Sequence, residues 1–165
     1  MKTTPRIHAL SALLLALLLA LLPASAAAVH QAAQAQSGAG MAPATAGPEH
    51  VQVQHILIGF NGSVPGKMIT RTRADSKKLA YDVLKRARKG ADFDSLVKKY
   101  TDDQAPGIYG MSNIGVTPAQ GEYPRAGMVQ SFGDVGFHLK PGKIGIADYD
   151  SAKSKFGWHI IKRLK

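Results

Sequence analysis

The most regular pattern of apolar and polar positions in the chain lies at residues 51–58, which read VQVQHILI. Valine and isoleucine favour extended backbone, and side chains along a strand point alternately to its two faces. We therefore predict a strand with one face formed by Val51, Val53, His55 and Leu57. The opposite face would carry Gln52, Gln54, Ile56 and Ile58.

A second apolar segment that contains a histidine, residues 156–164, predicts the last strand. Its histidine is His159. A lone histidine in an apolar strand is usually a core residue held by one hydrogen bond, and that is the simplest interpretation of His55 or His159 alone. Histidines on the first and last strands of one folded segment indicate a shared site, provided that the two strands are neighbours.

Apolar residues recur at helical spacing in three segments between these strands. The first helix would begin at Thr72 and Asp75, which resemble a capping box, and its apolar stripe would be Leu79, Val83 and Ala87. The second helix would be capped by Asp92, with its apolar face at Phe93, Leu96, Val97 and Tyr100. Residues 128–139 predict either a third helix or two helical turns that meet at Gly133.

Two further strands complete the predicted order. Residues 104–127 are interrupted by Gly and Pro and contain one short strand candidate, residues 112–116. Irregular segments of this length in a small domain are often functional. Residues 144–147 predict another strand. The resulting order, β-α-α-β-α-β-β, is typical of an α+β fold with a largely antiparallel sheet.

The N-terminal segment is typical of an export signal. Residues 1–28 contain Lys2 and Arg6, then an apolar run at 9–22, and small residues that allow cleavage near Ala26 or Ala28. As a helix the run would span about 21 Å, which is short of a bilayer core of about 30 Å. We therefore expect a cleaved signal and a periplasmic or secreted protein, rather than an uncleaved membrane anchor.

The predicted domain organisation follows from these segments. Residues 29–49 are rich in Ala, Gln, Gly and Pro without a periodic apolar face, which predicts a disordered linker. Residues 50–165 would form the folded domain. After cleavage of the signal we expect no membrane span.

Composition excludes several classes of chemistry. The chain has no cysteine, so disulfides, thiolate metal sites and a cysteine nucleophile are excluded. His50, His55, His138 and His159 show no close ligand spacing, so we expect no metal and no cofactor. The formal charge of +10 fits solubility, acidic clients, an acidic membrane surface or nucleic acid. The export signal argues against DNA, and we expect the basic first helix to be a solvated face.

Five short segments carry a family resemblance when they are taken in order. They are HILI at 55–58, ITRT at 69–72, GADFDSL at 90–96, the apolar residues Met128, Phe132, Phe137 and Leu139, and FGWHII at 156–161. In this order and spacing the chain resembles the exported bacterial parvulin-type peptidyl-prolyl cis/trans isomerases, also called rotamases. The resemblance covers residues 51–165.

The resemblance implies a fold and a site. The fold would be a four-stranded antiparallel sheet surrounded by helices, with the strands of His55 and His159 adjacent at its centre. The implied catalytic residues are His55, Asp103, His159 and Ser154, with Asp102 as the alternative to Asp103. The implied substrate-binding residues are Ile114, Met128, Phe132 and Phe137. Residues 61–65 contain no basic residue, so a preference for phosphorylated substrates is not expected.

The function implied by the resemblance is rotation about Xaa-Pro bonds in exported proteins, without a covalent intermediate. The expected partners are unfolded or partly folded polypeptides that contain proline, and we expect a monomer that binds no nucleic acid. Because folds often persist where their chemistry is lost, a non-catalytic peptide-binding chaperone on the same fold is the alternative function.

Overall fold

The computed structural model describes residues 47–165. In this range five strands, three α-helices and one 3-10 turn follow one another along the chain. They are β1 (His50–Ile58), α1 (Arg73–Arg88), α2 (Phe93–Tyr100), β2 (Ile108–Ser112), β3 (Glu122–Pro124), the 3-10 turn (Arg125–Gly127), α3 (Gln130–His138), β4 (Ile144–Ala147) and β5 (Trp158–Arg163).

The strands form one sheet in the order β3-β2-β1-β5-β4. β1 lies in the middle and pairs antiparallel with β2 on one side and with β5 on the other. His159 lies opposite Leu57, and Ile161 lies opposite His55, so the two histidine-bearing strands are direct neighbours. The predicted α+β class is confirmed.

The sheet differs from the prediction in having five strands instead of four. The additional strand, β3, pairs in parallel with β2, and its Tyr123 lies opposite Met111. This strand is only three residues long, follows Gly121 and ends at Pro124, so it is too short to show a two-residue alternation.

The prediction of a strand at 112–116 was wrong in its position, because β2 covers Ile108–Ser112. The chain leaves the sheet at Asn113, whose side-chain oxygen accepts a hydrogen bond from the Ile114 amide at 2.9 Å. Gly115 then adopts a φ of +78°, which a strand does not allow. Gly110 lies within β2 because Glu122 of β3 packs closely against its backbone.

The sheet buries both of its faces, each against different helices. Ile56, Ile58 and Ile160 pack with the apolar faces of α1 and α2. Val51, Val53, Met111 and Ile161 pack with α3 through Phe132 and Phe137. Since alternate residues of β1 serve the two layers, the face that carries His55 is the α3 face.

The helix starts follow the predicted caps. Thr72 accepts a hydrogen bond from the Asp75 amide, and Asp92 accepts one from the Ser95 amide. α3 is one continuous helix through Gly133, where a Cβ would lie 3.1 Å from Cγ of Arg125. This glycine therefore allows the 3-10 turn to pack closely against α3.

The predicted signal at 1–28 lies outside the described residues, as does the predicted linker up to residue 46. Across residues 47–165, no helix combines the length and the apolar character that crossing a membrane requires.

The turn before β5 depends on Gly157, which has a φ of +138° and whose added Cβ would overlap the carbonyl of Ile58. We expect Gly157→Ala to lower the free energy of unfolding by about 3 kcal/mol, since both the backbone angle and the β1–β5 contact are disturbed. The measurement is urea denaturation.

Gly142→Ala is the matched control. Gly142 also has a positive φ, +78°, but nothing lies within 4 Å of its added Cβ. We expect a loss of only about 1 kcal/mol from backbone strain. Equal losses in the two variants would contradict the close approach at Gly157.

Candidate functional site

The two histidines predicted to share a site are in direct contact. Nδ1 of His55 lies 3.2 Å from Nδ1 of His159, with both side chains buried. The rings are nearly parallel, at 14°, with their centres 5.4 Å apart. The antiparallel pairing of β1 with β5 produces this contact, because it places residues separated by 104 positions in the chain on adjacent strands.

A carboxylate and a phenol extend the histidine pair towards solvent. Nε2 of His55 lies 3.0 Å from Oδ2 of Asp103, and the Tyr109 hydroxyl donates to the same oxygen at 2.9 Å. The Asp103 side chain is 31% exposed, whereas that of His55 is 4% exposed. The hydrogen-bond network therefore runs from the partly exposed Asp103 carboxylate to the buried His159 ring in the interior of the domain.

The ionisation states of Asp103 and Tyr109 follow from these contacts. The hydrogen bond from His55 lowers the pKa of Asp103 to about 2. Burial, together with the bond to Asp103, raises the pKa of Tyr109 to about 12. At neutral pH, Asp103 is therefore a carboxylate and Tyr109 is a protonated donor.

The carboxylate fixes one hydrogen-bond direction in this network. Asp103 can only accept, so Nε2 of His55 carries a proton and donates it to Asp103. A single proton lies between Nδ1 of His55 and Nδ1 of His159. Nε2 of His159 is buried and has no hydrogen-bond partner among residues 47–165.

Burial keeps His159 neutral. Removal from water, together with the nearby His55, lowers the pKa of His159 from 6.5 to about 3. Phe132 contributes to this apolar environment, with its ring centre 5.5 Å from that of His159 and 5.1 Å from that of His55. The His159 ring thus orients His55 and carries no charge of its own at neutral pH.

The two aspartates that follow α2 have different partners. Asp103 faces His55, whereas Asp102 accepts hydrogen bonds from the Gly59 amide and from the guanidinium of Arg71. The backbone amide of Asp102 donates to the Leu57 carbonyl at 2.8 Å. Asp102 thereby attaches the segment after α2 to the end of β1 and fixes the position of its neighbour.

The predicted apolar residues lie at different depths. Phe132 is buried against the histidine pair, and Met128 is half-buried beside the same cluster. Phe137 is also buried, but its ring lies under the Arg125 guanidinium at 4.9 Å. Ile114 lies at the surface and lines, with Met128, a cavity of about 320 Å³.

Ser154 is placed in the turn before β5. Its buried hydroxyl donates to the Gly157 carbonyl at 2.9 Å, and its backbone pairs with that of Asp150. These bonds shape the approach to His159, and a direct part for the hydroxyl in the site stays a prediction.

Two residues of this region were not anticipated from the sequence. Tyr109 lies six positions after Asp103. Its place on the histidine-bearing face depends on β2, which begins four residues before the strand predicted at 112–116. Arg125 bonds Oδ1 of Asn113 at 2.9 Å and Asp134 of α3 at 2.6 Å. It thus holds the 3-10 turn that precedes Met128.

The arrangement combines an anionic carboxylate, oriented donors and apolar walls. Cysteine is absent from the sequence, and the serine hydroxyl at 154 bonds a carbonyl instead of a histidine. Such a site can bind an apolar ring and act on a nearby polar bond through its electric field. Within residues 47–165, no group of three or more His, Asp or Glu side chains is arranged to hold a metal ion.

The buried His159 predicts an acid-sensitive fold. The pKa of His159 is about 3 in the folded state and 6.5 in the unfolded chain. As the pH falls, His159 is therefore protonated first in the unfolded chain. Stability should therefore rise with pH between about 3 and 6.5, by about 1.4 kcal/mol per pH unit. The measurement is the free energy of unfolding in urea at pH 7 and at pH 4.5.

The variant His159→Asn should remove most of this difference, because an amide can still hydrogen-bond to His55 and does not titrate. The control is His138→Asn, which changes an exposed histidine at the end of α3. A pH dependence that is the same in His159→Asn as in the unmodified protein would contradict the assignment.

Comparison with known proteins gives consistent results. The family model described as the PPIC-type PPIASE domain matches residues 41–165. The chain is 31% identical to Foldase protein PrsA 1 of Lactobacillus johnsonii over 70% of this chain and 30% of that protein. It is 32% identical to Foldase protein PrsA of Bacillus subtilis, over 53% of this chain and 26% of that protein.

A more distant relative and a solved structure agree with these matches. Chaperone SurA of Nitrosococcus oceani is 26% identical over 66% of this chain and 26% of that protein. The chain thus spans between a quarter and a third of the length of these three curated relatives. The solution structure of TbPIN1 superposes with a TM-score of 0.53 and 23% identity, covering 71% of this chain and 98% of TbPIN1, which supports the fold. Because the family model covers the whole described domain, the chain belongs to the parvulin-type, or PPIC-type, family of peptidyl-prolyl isomerases.

Proposed function

We propose that this domain accelerates cis/trans rotation about Xaa-Pro bonds in unfolded or partly folded polypeptides. The observation that carries the proposal is the contact of the His55–His159–Asp103 network with the Phe132 ring, 5.1 Å from His55. A polar network and an apolar wall meet there, and a proline presents an apolar ring next to a polar amide.

The reaction sets clear physical requirements. Rotation about the amide has a barrier of about 20 kcal/mol and takes tens of seconds unaided. In the transition state the amide is twisted and has lost resonance, so no bond to the protein is needed. A catalyst has to bind the twisted amide better than either planar form.

Asp103 would act through its charge. The planar amide places partial negative charge on the carbonyl oxygen, and this charge falls when the bond twists. A nearby carboxylate therefore raises the energy of the planar form relative to the twisted one. His55 and Tyr109 hold Asp103 ionised and in place, with its pKa at about 2.

Phe132 and Met128 would bind the proline ring and exclude water from the amide. Water stabilises the planar form by hydrogen bonding to the carbonyl, so its removal favours twisting. Ile114 would extend this wall at the surface, where it shares a cavity with Met128. Phe137 would support the wall from the buried side of α3.

The proposed substrates are proteins outside the cytoplasm. The signal-like pattern of residues 1–28 supports an exported protein. Two of the relatives carry the name foldase, which agrees with a role in the folding of other polypeptides. We place the protein in the periplasm or the secreted fraction, acting as a monomer.

A second candidate function is peptide binding without turnover, favoured by the relative named Chaperone SurA. Such a protein would suppress aggregation of an unfolded client and give no isomerisation rate. The deciding experiment is a protease-free isomerisation assay on short Xaa-Pro peptides, run beside an aggregation assay. Acceleration of cis-to-trans conversion supports the enzyme, and its absence together with aggregation suppression supports the chaperone.

Met128 provides a test of the proline wall. We expect Met128→Ala to lower kcat/KM by about tenfold, equivalent to about 1.4 kcal/mol of barrier, because the proline ring loses an apolar contact. Met68→Ala is the matched control, since Met68 is fully exposed, and should leave the rate unchanged. Equal rates in both variants would contradict a role for Met128.

Asp103 provides a test of the electrostatic argument. We expect Asp103→Asn to lower kcat/KM by about tenfold at pH 7, since the shape is kept and the charge is lost. The exposed Asp82, paired with Arg86 on α1, gives the control variant Asp82→Asn, which should retain full activity. An Asp103→Asn variant as active as the unmodified protein would rule out a contribution from the carboxylate charge.

A further inference from the structure

A second cavity, of about 490 Å³, lies between α1 and the segment that joins β4 to β5. None of the histidine-site residues lines it, and the proposed mechanism leaves it without a role. Its lining includes three residues from α1 and three from the other side, which are Arg73, Lys77 and Tyr81, and Asp148, Tyr149 and Trp158. We call it the α1 cavity.

The α1 cavity lies on the face of the sheet opposite the histidine site. Trp158 packs in the apolar layer of α1 and α2 together with Ile58, its partner on β1. The next residue, His159, points to the α3 face, because successive side chains of a strand alternate between the two faces. A molecule bound in the α1 cavity would therefore leave the histidine site open.

The α1 side of this cavity carries two positive charges. Arg73 and Lys77 are four positions apart, so they are neighbours on one side of the helix. Both are exposed, and neither forms an ion pair with a carboxylate within the part of the chain that the structure describes. The Arg73 guanidinium lies 5.6 Å from the ring centre of Tyr149. Both charges are therefore available to an anionic group of a ligand.

The opposite side of the cavity is formed by packed aromatic rings. The ring centre of Tyr149 lies 5.6 Å from that of Trp158 and 5.0 Å from that of Phe60, which it meets edge to face at 88°. Trp158 is 4% exposed and Tyr149 is half-buried, so the surrounding residues hold both rings in place. Aromatic rings of this kind offer a large contact area to an apolar or aromatic side chain.

Asp148 adds a hydrogen-bond acceptor beside the two cations. Its Oδ1 accepts a hydrogen bond from the Tyr81 hydroxyl at 2.8 Å. A carboxylate has further lone pairs and can only accept, so Asp148 can also bind an N–H group of a ligand. Polymers of phosphate or sulfate carry no N–H donor in their anionic groups, and the Asp148 charge repels them. The cavity therefore suits a ligand that combines carboxylates, N–H groups and apolar side chains.

We propose that the α1 cavity binds acidic segments of unfolded polypeptides, in which Asp or Glu lies next to an aliphatic or aromatic residue. The carboxylate of the segment contacts Arg73 and Lys77. Its apolar side chain packs on Tyr149 and Trp158, and a backbone N–H donates to Asp148. The formal charge of the chain, +10, favours the approach of acidic polypeptides. Since no bond has to rotate, this inference does not depend on the proposed isomerase function.

Trp158 is the only tryptophan in the sequence, so its fluorescence reports directly on the α1 cavity. The probes are three short peptides without proline or tryptophan, in which leucines alternate with Glu, Gln or Lys. Binding is followed by Trp158 fluorescence and by calorimetry. We expect the Glu peptide to bind about fivefold more tightly than the Gln peptide, and the Lys peptide to bind most weakly. Added salt should weaken binding of the Glu peptide, because exposed charges are screened.

The double variant Arg73→Gln/Lys77→Gln should bind the Glu peptide about fivefold more weakly than the unmodified protein, because two exposed ion pairs are lost. Lys85→Gln/Lys89→Gln is the matched control. It makes the same change in net charge at exposed positions of α1 and its C-cap, outside the cavity, and should keep the affinity. A similar loss in both double variants would overturn the site, since net charge alone would then explain binding. A Glu peptide that neither measurement detects would also overturn it.

Two further measurements identify the ligand chemistry and the place of binding. Tripolyphosphate should bind more weakly than the Glu peptide, and tighter binding would assign the cavity to phosphates and reject the acidic polypeptide. Met128→Ala should bind the Glu peptide as the unmodified protein does, whereas a loss of affinity would place the peptide at the histidine site and overturn the inference. A protein that binds the Glu peptide as expected but isomerises no Xaa-Pro peptide would contradict only the proposed function.

Discussion

The antiparallel pairing of β1 with β5 is the interaction on which the fold and the site both depend. It fills the centre of the sheet, gives each of the two apolar layers some of its most buried residues, and brings His55 into contact with His159. A shift of one residue in this pairing would turn the His159 side chain to the opposite face. Because Gly157 has no side chain, the backbone just before β5 can lie close to the Ile58 carbonyl at the end of β1.

The Asp103 carboxylate is positioned by a second set of contacts, which residues outside the site largely make. Asp102 bonds the backbone just after β1 and the Arg71 side chain, and its own amide bonds Leu57. Asp103 is therefore held by its neighbour and oriented by Tyr109. Asp102 thus anchors the backbone, and the partly exposed Asp103 carboxylate keeps a fixed position. A charge must be fixed in this way to act electrostatically on a substrate.

Much of the fold could be predicted from the sequence because its strongest signals are local. The alternation in β1, the caps at Thr72 and Asp92 and the helical spacing in α1 and α2 all require only a few neighbouring residues. The contact of His55 with His159 was anticipated from the position of the two strands and from the family resemblance. The strand β3 could not be predicted, since its stability comes from pairing with β2 and from the bond between Glu122 and His50. Tyr109 was missed for the same reason: its face is defined only by the register of β2 against β1.

The separation between β1 and β5 along the chain also has a kinetic consequence. Contacts between residues that are distant in sequence form slowly, because a long loop must close before they contribute any stability. β1 can pair with β5 only when residues 158–163 are available, and until then neither apolar layer is complete. We therefore expect this domain to fold more slowly than a helical bundle of similar size, and its two imidazoles to meet only once β1 has paired with β5.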